Sequence, residues 1–551
     1  MPPRRLADSG SIPYFLSLAV LALLPLAPEQ YLYFRNHEDL KYFAPIAYYE
    51  GIVSFLLLAP ALLANRLWSR IWVVTIGSVM GAATLVVAFQ AVSIGARWDL
   101  TAHAALMQTS PGEALGYLRS FATLGSIAWI ALLAAGFAGC ITVNCRSAFP
   151  RRRAALAAIL LGALASAHGI HNAYRFGRQA FHMVRVSTGE SLKITDIGIN
   201  KFHPVTYLLL TEYNYRVTHA FYLKAYRNIA DHKDLFKGAA PVPGAVVPRL
   251  VVVVIGESAS RRHWSLYGYP RETNPELRKL GDDVLLFSDV ISSSVGTQTV
   301  LRAMFTTNAF SMPAFPLFSA AGYTTHWISA QYSQGANDVE VSALVQSADQ
   351  RTFLNGAYDE SLVPFVQEAA SAPGKHLIFV NLFGSHVRYD DRYPTSFSAF
   401  HGDGEKERLI AAYDNTILYT DHVLARFIDL LGRMHEASCL LYVSDHAEDV
   451  YDSTPDMYLF RSDAIATNAM YEVPFLVWFS PEYRRGNPEF VRGVAAARDR
   501  KFQTVALYQS VIDLARLTHP MYDPRVSLFS PDFVEAKRHV GVAGRIYRKD
   551  H

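Results

Sequence analysis

Polar side chains that could bind a metal ion follow three apolar runs in the second half of the chain. Each run has the composition of a buried strand. Glu257 follows the first run, His386 the second, and Asp445 and His446 the third. Carboxylate and imidazole groups are ligands that zinc prefers in proteins. The set Glu257, Asp445 and His446 therefore predicts a zinc site.

A nucleophilic hydroxyl is predicted at the start of a helix. The sequence VGTQT begins at Val295 and indicates a glycine-bearing loop that enters a helix. A hydroxyl there would face a phosphate group beside free backbone N–H groups. Thr299 is the preferred candidate, because coordination to zinc would favour the alkoxide of an otherwise poor nucleophile. Taken alone, Thr297 or Thr299 would more often be a helix cap.

The elements around these residues predict an α/β domain. After Pro248, short β-branched runs alternate with helical stretches, which is typical of a mostly parallel sheet covered on both faces. The carboxyl ends of parallel strands meet at one edge, where α/β sheets place their sites. An isolated Asp-His pair is usually structural, but the shared position of all these groups favours an active site.

The first third of the chain predicts a bundle of five transmembrane helices. Its apolar stretches are each near the length that a helix needs to cross about 30 Å of hydrocarbon. They are Ile12 to Leu26, Ala44 to Leu63, Ile71 to Ile94, Phe121 to Val143 and Ala154 to Ala167. A re-entrant or interfacial helix is the alternative for the last stretch.

Arginine residues predict how the bundle is oriented. They precede the first stretch and separate the second from the third and the fourth from the fifth, so these loops are expected to be cytoplasmic. They are Arg4, Arg5, Arg66, Arg70, Arg146, Arg151, Arg152 and Arg153. An odd number of spans then places the C-terminal half outside the cytoplasm.

Composition supports a chain with a membrane part and a soluble part. The 551 residues are 51% hydrophobic and 18% charged, and the formal charge of +3 excludes a strongly basic nucleic-acid-binding protein. We expect a transmembrane domain over 1–173, interfacial bridging helices over 174–248 and a periplasmic catalytic domain over 249–551. With Cys439 as its one cysteine, the last part has no disulfide framework.

The segment Gly256 to Pro275, GESASRRHWSLYGYPRETNP, closely resembles the opening motif of bacterial phosphoethanolamine transferases. That family includes lipid A modifiers and the mobile colistin-resistance enzymes. The resemblance continues through the soluble half in the same order, and the five predicted spans also fit. The further matching segments are Gly296 to Thr299, Gly384 to His386 with Arg392 to Pro394, Tyr442 to His446, and Met470 to Trp478.

The resemblance implies an alkaline-phosphatase-like (sulfatase-like) α/β/α domain and roles for individual residues. Thr299 would carry the phosphoethanolamine group, and zinc would be held by Glu257, Thr299, Asp445 and His446. His386 would lie near the transferring phosphate, where it could bind a second metal ion or assist proton transfer. The residues expected to contact substrate are Thr109, Glu113, His386, Asp456 and Arg461.

Two departures from the family pattern affect the expected site. The histidine expected after the Asp-His motif is replaced near Asp456, and the asparagine expected before Thr109 reads as Ala105. The number of zinc ions, one or two, is therefore left open. The same departures leave open how the phospholipid donor is held.

The implied activity is transfer of phosphoethanolamine from phosphatidylethanolamine to lipid A, a lipopolysaccharide core sugar or a periplasmic glycan, at the bacterial inner membrane. A glycerol-phosphate transferase of the lipoteichoic acid synthase kind is the first alternative. A non-catalytic membrane scaffold derived from such enzymes is the second. A sulfatase would need a Cys/Ser-x-Pro-x-Arg sequence, which the segment Thr299 to Arg302 does not supply.

Overall fold

The structure is a computed structural model that describes most of the soluble half and part of the membrane half. The described residues are 11–35, 50–94, 123–150, 152, 154–160, 162, 204–205, 208–209, 212–213, 216, 236–306, 314–331, 345–454, 461, 467–540 and 545–549. They fall into two compact units, one up to residue 216 and one from residue 236. The predicted bridging segment 174–248 lies largely outside the described residues.

Apolar helices make up most of the described residues of the first unit. They are α1 (Ile12–Leu23), α2 (Ala27–Arg35), α3 (Pro60–Leu63), α4 (Arg66–Ile94) and α5 (Leu124–Arg146). Three segments are long and apolar enough to cross a membrane, namely Ile12–Arg35, Arg66–Ser93 and Leu124–Arg146. These segments overlap the first, third and fourth predicted spans.

The second and fifth predicted spans are described only in part. A shorter apolar helix, Glu50–Leu63, overlaps the second. The fifth is helical over residues 154–160. The total of five spans therefore stays a prediction.

Polar side chains join three helices inside this unit. The hydroxyl of Tyr14 on α1 lies 2.8 Å from the hydroxyl of Ser69 on α4. The amide of Asn144 on α5 donates to the carbonyl oxygen of Tyr14 and to the hydroxyl of Ser17, both at 3.1 Å. Because each of these groups is buried, the hydrogen bonds offset the cost of removing it from water.

The second unit is built on a seven-stranded sheet. The strands of the unit are β1 (Ala240–Pro241), β2 (Leu250–Gly256), β3 (Val284–Leu286), β4 (Val290–Ile291), β5 (Tyr323–Ser329), β6 (Gln350–Phe353), β7 (Lys375–Asn381), β8 (Ser438–Ser444), β9 (Phe475–Phe479), β10 (Phe502–Gln503), β11 (Leu517–Thr518), β12 (His539–Val540) and β13 (Arg545–Ile546). The order in the large sheet is β3-β9-β8-β2-β7-β5-β6. Strand β9 is antiparallel to both neighbours, and the other pairs are parallel.

Helices cover both faces of this sheet. They are α6 (Pro275–Arg278), α7 (Thr297–Phe305), α8 (Ala314–Ala320), α9 (Val363–Ser371), α10 (Glu405–Arg433), α11 (Pro481–Gly486), α12 (Pro488–Ala496) and α13 (Leu507–Leu514). Side chains of α7, α8 and α13 pack in one hydrophobic core, and side chains of α9 and α10 pack in a second.

Strand β2 shows why this sequence forms a central strand. All seven of its residues are buried. Val251 and Val253 belong to the first core, whereas Val252 and Val254 belong to the second. Successive side chains of a strand point to opposite faces, so a strand between two helical layers must be apolar at every position. The predicted α/β fold is thus confirmed.

A buried histidine pair lies on the neighbouring strands β5 and β7. The Nε2 atom of His326 lies 3.0 Å from the Nδ1 atom of His376. Burial, and then the charge of His376, lower the pKa of His326 from 6.5 to about 4. Between these two values the folded chain binds fewer protons than the unfolded chain. The free energy of unfolding therefore falls as the pH falls through this window.

Replacing this histidine should flatten the pH dependence of stability. Between pH 7 and pH 4 the wild type should lose about 3 kcal/mol more than His326→Gln, because each unit of pKa shift corresponds to 1.36 kcal/mol. Denaturant unfolding of the full chain in detergent, at several pH values, measures both proteins. Parallel curves for the two proteins over this range would contradict the assignment.

Candidate metal centre and active site

The structure brings Glu257, Asp445 and His446 together at one edge of the sheet. Glu257 follows β2 and Asp445 follows β8, and these strands are paired so that Gly256 lies opposite Ser444. All three side chains are buried, and one ligand atom from each lies within 4.8 Å of the others. Two carboxylates and an imidazole at this spacing suit zinc.

Burial and neighbouring charges shift the pKa values of the two carboxylates. Burial, and then the charge of Glu257, raise the pKa of Asp445 from 3.8 to about 6. Burial also acts to raise the pKa of Glu257, but the hydrogen bond to His446 and the charges of His446 and Arg461 outweigh it, so that this pKa lies well below its usual value. Asp445 Oδ2 is buried with no hydrogen-bond partner among the described residues. Such an atom is suited to face a cation.

Hydrogen bonds from neighbouring groups orient the three side chains. The backbone N–H of Ser258 donates to Asp445 Oδ1 at 3.1 Å, and its hydroxyl donates to Glu257 Oε1 at 2.8 Å. His446 Nδ1 lies 3.1 Å from the carbonyl oxygen of Ala447. Because a carbonyl oxygen only accepts, Nδ1 carries the proton in this bond, and Nε2 faces the two carboxylates at 3.3 Å each.

Two further polar side chains contact Glu257. Arg461 Nη1 lies 3.2 Å from Glu257 Oε1, and the same guanidinium contacts His446 Nε2. Gln331 donates to Glu257 Oε2 at 3.1 Å and to the carbonyl oxygen of Leu382 at 2.9 Å. Arg461 was expected at the site, whereas the sequence motifs did not identify Gln331. Its position just beyond β5, at the same sheet edge, was the available signal.

The first turn of α7 presents two threonines in different environments. The Thr297 hydroxyl lies 3.3 and 3.4 Å from the two carboxylate oxygens of Glu257 and 3.3 Å from His446 Nε2. Thr299 is exposed. Of the two threonine hydroxyls, that of Thr297 is thus the one that contacts the cluster in the structure. The assignment of Thr299 as nucleophile and zinc ligand stays a prediction.

His386 lies at the same sheet edge, in the loop after β7, and is half-buried. The loss of water around its ring lowers its pKa from 6.5 to about 4, against the opposing charge of Glu257. The imidazole is therefore neutral at neutral pH and able to accept a proton. His386 is not one of the three residues that form the tight cluster.

Three of the residues expected to contact substrate are Thr109, Glu113 and Asp456, and they lie outside the described residues. Their assignments stay predictions. Of the expected substrate contacts, the structure therefore describes the surroundings of His386 and Arg461.

Sequence comparison relates the second unit to known proteins. The profile of the family described as Sulfatase matches residues 249–517. Phosphoethanolamine transferase EptC of Escherichia coli K12 is 33% identical over 322 residues, which are 53% of this chain and 55% of that protein. Phosphoethanolamine transferase CptA of Salmonella typhimurium LT2 is 32% identical over 322 residues, again 53% and 55%. The chain thus matches these relatives over about half of their length.

Solved structures extend the comparison. The C-terminal periplasmic domain of EptC from Escherichia coli, crystallised in complex with Zn, is 31% identical, with a TM-score of 0.51, over 55% of this chain and 92% of that one. The integral membrane protein EptA from Neisseria meningitidis, a lipooligosaccharide phosphoethanolamine transferase, has a TM-score of 0.68 over 98% of this chain and 99% of that one. At 18% identity the second likeness concerns the fold alone. The chain belongs to the phosphoethanolamine transferase family, whose C-terminal half has the sulfatase-like α/β fold.

Proposed function

We propose that the protein transfers phosphoethanolamine from phosphatidylethanolamine to a glycolipid or glycan of the cell envelope. The observation that supports this most is the buried cluster of Glu257, Asp445 and His446 beside the first turn of α7. A cluster of metal ligands next to a hydroxyl group at a helix start is suited to phosphoryl transfer. The related proteins are named for the same activity.

The residues present fit a zinc ion at this cluster. Glu257, Asp445 and His446 would hold it, and the buried Asp445 Oδ2, which has no hydrogen-bond partner among the described residues, is suited to face a cation. When bound, zinc would favour the alkoxide form of a coordinated threonine and draw negative charge from the phosphoryl oxygens.

Thr299 is the proposed nucleophile. The attacking hydroxyl must reach a lipid phosphate and later release the phosphoryl group to a second substrate. Thr299 is exposed, whereas the Thr297 hydroxyl is engaged with Glu257 and His446. Thr297 is the alternative that its contacts support, and mapping of the covalent adduct separates the two.

The reaction proceeds in two half-reactions. In the first, the Thr299 oxygen bonds to phosphorus, the bond from phosphorus to the glycerol oxygen breaks, and diacylglycerol leaves with the threonine proton. In the second, an acceptor hydroxyl bonds to phosphorus and the threonine oxygen leaves, regaining a proton. Neutral His386 would receive the proton of the acceptor hydroxyl. The N–H groups at the start of α7 would stabilise the charge on the phosphoryl oxygens.

Arg461 is proposed to assist substrate binding. Its guanidinium already lies against the carboxylate of Glu257. A guanidinium in this place could pair with phosphoryl oxygens once a cation neutralises the carboxylates. Thr109, Glu113 and Asp456 are retained as proposed substrate contacts on the strength of the family resemblance.

Lipid turnover tests the proposed function. Purified full-length protein in detergent, with zinc and phosphatidylethanolamine, should release diacylglycerol, and phosphatidylglycerol should not replace this donor. Release from phosphatidylglycerol alone would favour the glycerol-phosphate transferase. A zinc-free protein that releases no diacylglycerol from either lipid would favour the scaffold. Mass spectrometry of envelope glycolipids from cells with and without the protein would identify the acceptor.

The proposed location is the bacterial inner membrane, with the soluble half in the periplasm. The three long apolar helices support a membrane protein, and the arginines between the predicted spans support this orientation. A fluorescent protein that folds only in the cytoplasm, fused after His551, should therefore stay dark. Bright fluorescence would reverse the orientation.

A further inference from the structure

Asp359 is a buried carboxylate outside the metal cluster. It begins the short 3₁₀ turn Asp359–Leu362, which precedes α9. Its Oδ1 atom accepts from the backbone N–H of Phe383 at 2.7 Å, and its Oδ2 atom accepts from that of Gly384 at 2.9 Å. A carboxylate that accepts from two successive N–H groups fixes the conformation of the chain between them.

The loop that Asp359 holds is pressed against the backbone of a metal-cluster residue. Gly384 has φ +49°, and a Cβ atom there would lie 2.8 Å from the carbonyl oxygen of Glu257. The N–H of Ser385 donates to that same oxygen at 2.9 Å. Only glycine fits this approach. His386 directly follows Ser385, so a displacement of the loop would change the position of His386 relative to Glu257.

The imidazole of His386 is stacked on a side chain of the same loop. The rings of Phe383 and His386 have centroids 5.5 Å apart and an interplanar angle of 28°. The guanidinium of Arg392 covers the Phe383 ring at 3.9 Å. The orientation of the histidine ring thus depends on Phe383, whose backbone Asp359 holds.

We propose that Asp359 is a positioning residue, which sets the place of the His386 imidazole through the backbone of Phe383 and Gly384. The inference rests on the proposed transfer function and extends it to a residue outside the metal cluster. Burial raises the pKa of Asp359 to about 6, and the two N–H donors act to lower it. At neutral pH the carboxylate is therefore mostly ionised and able to accept both hydrogen bonds.

The substitution Asp359→Asn tests this role, because an amide nitrogen would face one of the two N–H groups. Transfer is expected to fall on the order of 100-fold in kcat, the effect of misplacing a catalytic group by about 1 Å.

Asp421→Asn is the matched control. Asp421 accepts from the N–H groups of Glu276 and Leu277 at 2.8 and 3.0 Å and is also buried. Asp421→Asn should lose about as much thermal stability as Asp359→Asn, but its kcat for transfer should stay at the wild-type value.

A double-mutant cycle separates positioning from general loss of structure. In a His386→Ala background, Asp359→Asn should cost no further activity, because the group it positions is already absent. Phe383→Leu keeps both hydrogen bonds and removes the stacked ring. Phe383→Leu should lower kcat only while His386 is present. If Asp359→Asn does not fold, Phe383→Leu is the variant that tests the proposal.

The outcomes are distinguishable. No transfer by the wild type overturns the proposed function and this inference together. Transfer by the wild type with equal kcat losses in Asp359→Asn and Asp421→Asn overturns the positioning role alone. The positioning role is also overturned if Asp359→Asn lowers kcat by the same factor in the His386→Ala background as in the wild type. A Phe383→Leu protein that transfers at the wild-type rate overturns it as well.

Discussion

Thr299→Ala is expected to abolish both transfer and the covalent intermediate. The change removes the only atom that bonds to phosphorus in the first half-reaction, so kcat should fall on the order of 10⁴-fold or more, as when other activated nucleophiles are removed. The fold should be kept, because Thr299 is exposed and its side chain contributes little packing. Intact-mass analysis after incubation with phosphatidylethanolamine and no acceptor measures the adduct directly.

Two neighbouring variants sharpen this experiment. Thr299→Ser keeps a hydroxyl at the same position and should still form the adduct. Thr297→Ala removes the hydroxyl that lies in the metal cluster and should leave the adduct on Thr299 in peptide maps. Mapping of the phosphoethanolamine group to Thr297 or Ser294 in the wild type would show that the nucleophile is misassigned. So would an undiminished adduct in Thr299→Ala.

Asp445→Asn is expected to remove zinc from the protein. The change takes away one of the two carboxylates of the cluster, and zinc sites rarely tolerate loss of a ligand. Elemental analysis should give at least one zinc ion per wild-type chain and about one fewer per variant chain. Added zinc should also raise the thermal midpoint of the wild type and not that of the variant, because a ligand that binds only the folded state stabilises it.

A buried carboxylate elsewhere provides the control for this result. Asp421→Asn also replaces a buried carboxylate, but its hydrogen bonds go to the backbone of Glu276 and Leu277. It should bind zinc like the wild type. Full zinc content in Asp445→Asn would exclude Asp445 as a ligand, and loss of zinc from both variants would point to a general effect on folding.

The sequence was sufficient to predict the fold class and the convergence of three candidate metal ligands. The continuous apolar run of β2 is typical of a strand covered on both faces, and the structure buries all seven residues of that strand. Glu257, Asp445 and His446 were predicted to converge because parallel strands end at a common edge. The long apolar helices of the first unit were likewise predicted from composition, since length and hydropathy are local properties.

Side-chain direction within α7 was decided by the tertiary structure. Successive residues of a helix are rotated by about 100°, so Thr297 and Thr299 have different surroundings. The distance of each hydroxyl from the cluster depends on where the helix starts and how it packs on the sheet. In the structure the helix starts after Gly296, and the Thr297 hydroxyl lies in the cluster.

Long-range partners also required the structure. Gln331 contacts Glu257 from a position 74 residues further along the chain, and Asp359 holds the loop of His386 from 24 residues before it. A lone Gln or Asp in a sequence has many possible partners, and no local pattern selects one. Sequence determined the composition of the strands and the chemistry at their ends. The strand order and the packing of the loops decided which of these side chains meet, because those distances depend on contacts between residues far apart in the chain.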